Sequence, residues 1–164
     1  MDVKYLPQMV DKDHRRYLFV AIDYATRWVY VELCDDKGAA TARRFRRHLQ
    51  KVCPVRIRTN LTDNGKEFTN RLFGSRARQP AGGHEFDQLC EALGIEHRLT
   101  KPKTPQTNGM VERFNGRISE VLATHHFDSR ASLEKTLERY VHLCNHHLPQ
   151  KALRHKPPIK AMKN

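Results

Sequence analysis

Scarcity narrows the reading of this chain before any motif does. No apolar run approaches the ~18 residues of a membrane span, and no signal peptide opens the sequence. The expectation is a cytoplasmic protein that engages no membrane. The four cysteines, Cys34, Cys53, Cys90 and Cys144, lack the paired spacing of a zinc knuckle or a disulfide framework. Acids are few: eighteen Asp and Glu stand against thirty Lys and Arg, a formal net charge of +12. No acid lies between Asp36 and Asp63, whereas Lys37, Arg43, Arg44, Arg46, Arg47, Lys51, Arg56 and Arg58 all do. Such an excess gathers polyanions, of which nucleic acid is the usual one. A generally basic surface with no specific partner is the plainer reading of the same charge.

Enough apolar residues remain, 38% of 164, for one domain with a real core. Strands "YLFVAID" (17–23) and "RWVYVEL" (27–33) read as a hairpin. Residues 38–52 put Ala42, Phe45, Leu49 and Val52 at helical spacing, with the arginines on the flanks and outer face. "VRIRTNL" alternates Val55, Ile57, Thr59 and Leu61, a strand that delivers Asp63 at its carboxyl end. Residues 70–83 are polar and Gly-rich, the pattern of a mobile loop. "HEFDQLCEALG" sets Phe86, Leu89, Cys90 and Leu93 on one helical face, with Gly94 as C-cap. "IEHRL" is a short strand, and "TKPKTPQTNG" is expected as loop. A long helix starts near Asn108 with Val111, Phe114, Ile118, Val121 and Leu122 inward. A last helix spans about 130–146, built on Leu133, Leu137, Tyr140, Val141 and Cys144, and residues 149–164 read as an irregular tail. Strands with intervening helices make the fold α/β, and the early hairpin makes its sheet mixed.

Candidate chemistry concentrates in two acids. Asp63 ends a strand, where functional groups gather in open α/β sheets; the following Asn-Gly is also what a tight turn wants, because both tolerate positive φ. Glu112 lies in the first turn of the helix after the proline loop, flanked by inward Val111 and Phe114, and Asn108, Asn115 and Ser119 could share its face. At the edge of a buried face a carboxylate needs a positive partner, which a metal ion supplies; a first-turn Glu favoured by the helix dipole is the ordinary alternative. "HLCNHH" places His142 four before His146, but without an acidic or thiolate partner at ligand spacing, so surface or partly packed histidines are expected.

"TDNGKEF" followed by "KPKTPQTNGMVERFNGRI" resembles the core of the retroviral-integrase and transposase superfamily, specifically the integrase-like (DDE) transposases of bacterial insertion sequences. "AIDYATRWVYVEL" is similar to that family's second and third strands, and "CNHHLPQKALRHKPP" to its C-terminal ending. The resemblance implies a ribonuclease-H-like fold, a mixed five-stranded sheet flanked by helices, with a catalytic core over 1–148. It implies metal-dependent phosphodiester cleavage and strand transfer at mobile-element ends, by two Asp and one Glu holding two Mg²⁺ (or Mn²⁺) ions. Asp63 and Glu112 take the second Asp and the Glu. Asp23 ends an apolar strand, but the family's first Asp lies on the preceding strand in a motif like Asp-x-Lys-x-Leu, which fits "MDVKYLPQ" and selects Asp2. Asp23, Tyr24 and Arg27 then belong to a structural connector. By the family pattern Asp2 bridges both ions, Asp63 holds one and Glu112 the other.

Lys101, Lys103, Arg113 and Arg117 surround that helix start and are expected to contact DNA backbone. Partners implied are element-end and target DNA and a homodimer or higher oligomer, in a bacterial, nucleoid-associated setting. The family usually carries a helix-turn-helix region further back, whereas Asp2 is the second residue here; an excised core or a truncated product is expected. A remnant that only binds DNA or a partner subunit is the alternative function.

Overall fold

The computed structural model describes residues 1–7, 15–70, 83–100 and 105–163, with the side chains of 105–108 excepted. The Gly-rich stretch expected as a loop therefore lies almost wholly outside the described residues, as do Lys101 and Lys103.

Strand β2 (Tyr17–Ile22) sits between β1 (Asp2–Tyr5) and β3 (Val29–Cys34), antiparallel to both. Asp2 pairs with Val20 and Tyr5 with Tyr17; Tyr17 in turn pairs with Cys34. The alternation of β2 explains its apolar run. Phe19 and Ala21 enter one core with Phe45 and Leu49 of α1 (Ala39–Val52) and Phe86 and Cys90 of α2 (Glu85–Ala92). Leu18 and Val20 enter the opposite core with Phe114 and Ile118 of α3 (Pro105–Ala123) and Leu133 and Leu137 of α4 (Arg130–His146). A strand covered on both faces has no polar side to offer. The result is a layered α/β architecture with the sheet in the middle.

The expected five-stranded mixed sheet is not seen as one continuous ladder. Strands β4 (Thr59–Thr62) and β5 (Glu96–Leu99) form a separate parallel pair, and β1–β2–β3 form the other sheet. At the junction the Met1 amine donates to Leu61 O at 2.5 Å, so the residue before β1 touches β4 without a strand ladder between the two.

Several local expectations shift for identifiable reasons. In β4 the buried positions are Asn60 and Thr62, the polar phase of the alternation, because both find partners inside: Asn60 Nδ2 donates to Cys90 Sγ (3.4 Å) and Thr62 bonds His97. On α1, Arg46 is not on the outer face but fully buried (0% exposed), four residues after buried Ala42 on the same stripe. Its Nη2 donates to Gln50 Oε1 (2.9 Å), and among the described residues Nε and Nη1 have no acceptor. Helix α3 starts at Pro105 rather than near Asn108; proline suits a first turn, where its missing N–H costs nothing. Gly94 takes φ +65° after α2, and the Ile95 N–H closes back on Cys90 O (2.8 Å), the expected C-cap. The stretch after Pro149 holds a 3-10 turn (Lys151–Leu153) and a short helix, α5 (Pro158–Met162), whose Ile159 and Met162 pack on the first core.

Candidate active site

Asp2 opens β1, and its two oxygens are engaged differently: Oδ1 accepts from Val3 N–H (2.9 Å) and Oδ2 from the Asn115 side-chain amide of α3 (2.9 Å). Burial pushes its carboxyl above the ordinary value, and the Asp63 charge adds to the push. Asp2 and Asp63 thus repel one another within the fold.

Asp63 follows β4 directly, and its Oδ1 accepts from the Gly65 N–H (3.0 Å). The turn beyond it differs from the expected one. Neither Asn64 nor Gly65 has positive φ; glycine is needed here for space, since a Cβ on Gly65 would stand 2.6 Å from the Glu67 carboxyl. The chain then coils, with Phe68 N–H and Thr69 N–H both on Gly65 O (2.9 and 3.1 Å). Glu67 is buried beneath this turn, its carboxyl raised by burial first and then by Asp63 and Asp2, with Lys37 opposing. No metal pattern flags Glu67 in the sequence; its position within "TDNGKEF" is the only signal.

Glu112 is solvent-exposed, not at the buried margin expected for it, although Val111 and Phe114 are buried as expected. Positions three apart share a helix face, and Asn115 on Asp2 turns that face of α3 toward the Asp2 side. Among the described residues no three His, Cys, Asp or Glu side chains converge tightly enough to hold a metal ion. Asp2 and Asp63 are brought within electrostatic reach; Glu112 is aligned by Asn115 but not closed upon them. The donor set nevertheless fits a hard cation. Among the described residues it consists of carboxylates without an ion-paired cationic side chain, beside two buried amide oxygens, Asn64 Oδ1 and Asn115 Oδ1, that have no donor there. Oxygen-only ligands of this kind suit Mg²⁺ or Mn²⁺.

Asp23 has a different occupation. Its Oδ2 accepts from Thr26 N–H (2.8 Å) and Thr26 Oγ1 (2.5 Å), tying the connector of the β2–β3 hairpin, in which Arg27 sits at φ 64° with its guanidinium 5.1 Å from the Tyr24 ring centre. Arg113 and Arg117 are exposed and line a groove of about 640 Å³ together with Arg27, Lys151 and His155. His155 and its neighbour Arg154 occupy left-handed backbone (φ 59° and 54°), an arrangement non-glycine residues adopt at a cost. The sequence offers Lys151 and His155 only as part of its C-terminal signature; their approach to Arg113 is a product of tertiary folding.

Residues 1–105 match the integrase core domain, and residues 93–158 match a second description of the same domain. This chain belongs to the integrase core domain family. Among curated relatives, a putative integrase of Spiroplasma virus SpV1-C74 is 27% identical over 97% of the chain and 45% of its own length. An uncharacterised 39.2 kDa protein of insertion element IS476 from Xanthomonas euvesicatoria is 29% identical over 95% of the chain and 38% of its own length. The chain spans less than half the length of these relatives. The catalytic core domain of HTLV-2 integrase, solved with magnesium, superposes with a TM-score of 0.69 at 17% identity, covering 98% of this chain and 93% of that one. That likeness carries the fold: the integrase core here has the ribonuclease-H-like α/β architecture, divided into two ladders.

Proposed function

We propose that this integrase core is the catalytic part, over residues 1–148, of a DNA transposase or integrase that cleaves and joins phosphodiester bonds at mobile-element ends. The contact that carries the reading is Asn115 on Asp2, which aligns the Glu112 face of α3 with the Asp2–Asp63 pair. Asp2, Asp63 and Glu112 would together hold Mg²⁺ or Mn²⁺, two ions by the family pattern. When bound, such ions raise the nucleophilicity of the attacking oxygen, stabilise the leaving oxygen and remove charge at phosphorus.

The chain's own part is placement. Asn115 fixes the Asp2 carboxylate in rotation and leaves its other oxygen directed by the Val3 N–H. The Gly65 N–H does the same for Asp63. Arg113 and Arg117, with Arg27 and Lys151 across the groove and Lys101 and Lys103 before α3, bind backbone phosphates, which gives affinity without sequence preference. Water as attacking group yields a nick; a freed 3′-hydroxyl yields strand transfer. Paired ends call for two or more copies of the core.

The test is nicking of supercoiled plasmid DNA by the purified chain with Mn²⁺. Nicking that needs the metal and disappears in Asp63→Asn, with DNA affinity retained, is the expected result. DNA binding by the wild-type chain with no metal-dependent nicking would overturn it in favour of a binding-only remnant.

A further inference from the structure

Behind Asp63 lies a second set of polar groups that phosphodiester chemistry does not itself require. Thr62 is fully buried, and its Oγ1 lies 2.8 Å from His97 Nε2 on β5. The other ring nitrogen, Nδ1, meets Asp87 of α2 in a short contact. All three side chains are buried, and the Phe86 ring stands edge-on to the imidazole with centroids 5.0 Å apart. Three elements are thus joined through one ring: α2 by Asp87, β5 by His97, and the last residue of β4 by Thr62.

Proton counting orders this chain. An ionised Asp87 can only accept, so His97 carries its proton on Nδ1. Nε2 is then an acceptor, and the Thr62 hydroxyl donates to it. Charge facing the ring comes from Asp87 on α2, from His84 at the N-cap of that helix and from the Met1 ammonium, with Thr62 the neutral group on β4. The hydroxyl's other available acceptor is Asp63 O, 3.1 Å away. Thr62 therefore has one fixed rotamer while His97 accepts, and that rotamer sets the strand end from which the next residue, Asp63, departs.

The geometry points to Asp87, His97 and Thr62 as a buried positioning relay that holds the Asp63 carboxylate at its working place. This rests on Asp63 being a metal ligand as proposed above. None of the three is among the proposed metal ligands, and all are buried; they act through the backbone of β4, as outer partners of metal ligands commonly do.

The experiment uses the whole chain. Thr62→Val keeps the shape and deletes the hydroxyl; Thr62→Ser restores it. Mn²⁺ half-saturation is read by metal titration in the absence of DNA, beside melting temperature and DNA affinity. Thr62→Val is expected to weaken Mn²⁺ binding by about tenfold with DNA affinity unchanged, and Thr62→Ser to bring it back. A folded Thr62→Val with wild-type Mn²⁺ binding, or a Thr62→Ser that fails to restore it, overturns the relay. If Thr62→Val does not fold, the ¹⁵N shifts of His97 in the wild-type chain at pH 7 decide: an unprotonated Nε2 supports the relay and a protonated Nε2 contradicts it. Mn²⁺ binding is measured apart from cleavage, so a chain that binds the metal but never nicks DNA would sink the proposed activity and leave the relay standing.

Discussion

Asp2 is held in a place that disfavours its charge. Burial and Asp63 raise its pKa, so the ionised form stabilises the fold less than the protonated form does, and this loss sets in as pH rises through the raised value. A divalent cation reverses the sign of that contribution. Adding Mg²⁺ at neutral pH is therefore expected to raise the melting temperature of the wild-type chain, an effect that fades as pH falls and protons compete for Asp2. Asp2→Asn should melt higher than wild type without metal and respond little to it; differential scanning fluorimetry across pH checks both. Gly65 makes a second residue-level case. Its missing Cβ leaves room for the Glu67 carboxyl, so Gly65→Ala should cost about 1 kcal/mol, and close to nothing in a Glu67→Ala background, where the obstructing group is gone. Denaturant unfolding of the two single variants and the double variant measures the coupling.

Helix α1 departs furthest from its sequence pattern. Its apolar stripe is legible, and Ala42, Phe45 and Leu49 are all buried, but hydrophobic periodicity cannot identify an arginine taken into the same stripe. Arg46 is buried with two donors unmet among the described residues, and burial pushes its guanidinium pKa down. Replacing such a group by an apolar one of similar length removes a desolvation cost. Arg46→Met is expected to stabilise the protein by about 1–3 kcal/mol, read as a higher urea midpoint with unchanged slope. Strand β4 departs in a related way: Asn60 and Thr62 look like the wet side of an alternation and are the inner one, because their partners Cys90 and His97 come from elements more than twenty residues on. Local pattern carries the helices α3 and α4 and the β2–β3 hairpin well, since each buries a stripe that its own residues define; in α2 and α1 the stripe holds until its last member, because Leu93 and Val52, at the helix ends, are exposed. Polar burial depends on distant partners and is not written locally.

For the molecule as a whole, the basic excess and the acid pair are the features that the sequence exposes, and the groove that gathers Arg113 and Arg117 with distant basic residues is not. Arg113 and Arg117 were legible as the polar side of α3; that Arg27, Lys151 and His155 come to face them follows from how the hairpin connector and the C-terminal turn pack. If this groove carries DNA backbone, Arg113→Ala and Arg117→Ala each lower the slope of log K against log salt by about 1, equally for unrelated sequences, in fluorescence-anisotropy titrations. The central claim is that Asp2, Asp63 and Glu112 together hold the divalent cation. Crystals of the chain grown with Mn²⁺ and read by anomalous scattering test it most directly. The account predicts a manganese peak within about 2.5 Å of carboxylate oxygens of both Asp2 and Asp63, with Glu112 drawn in toward a metal. Manganese found only at surface histidines such as His142 and His146, with the two aspartates bare at saturating Mn²⁺ and neutral pH, would contradict it.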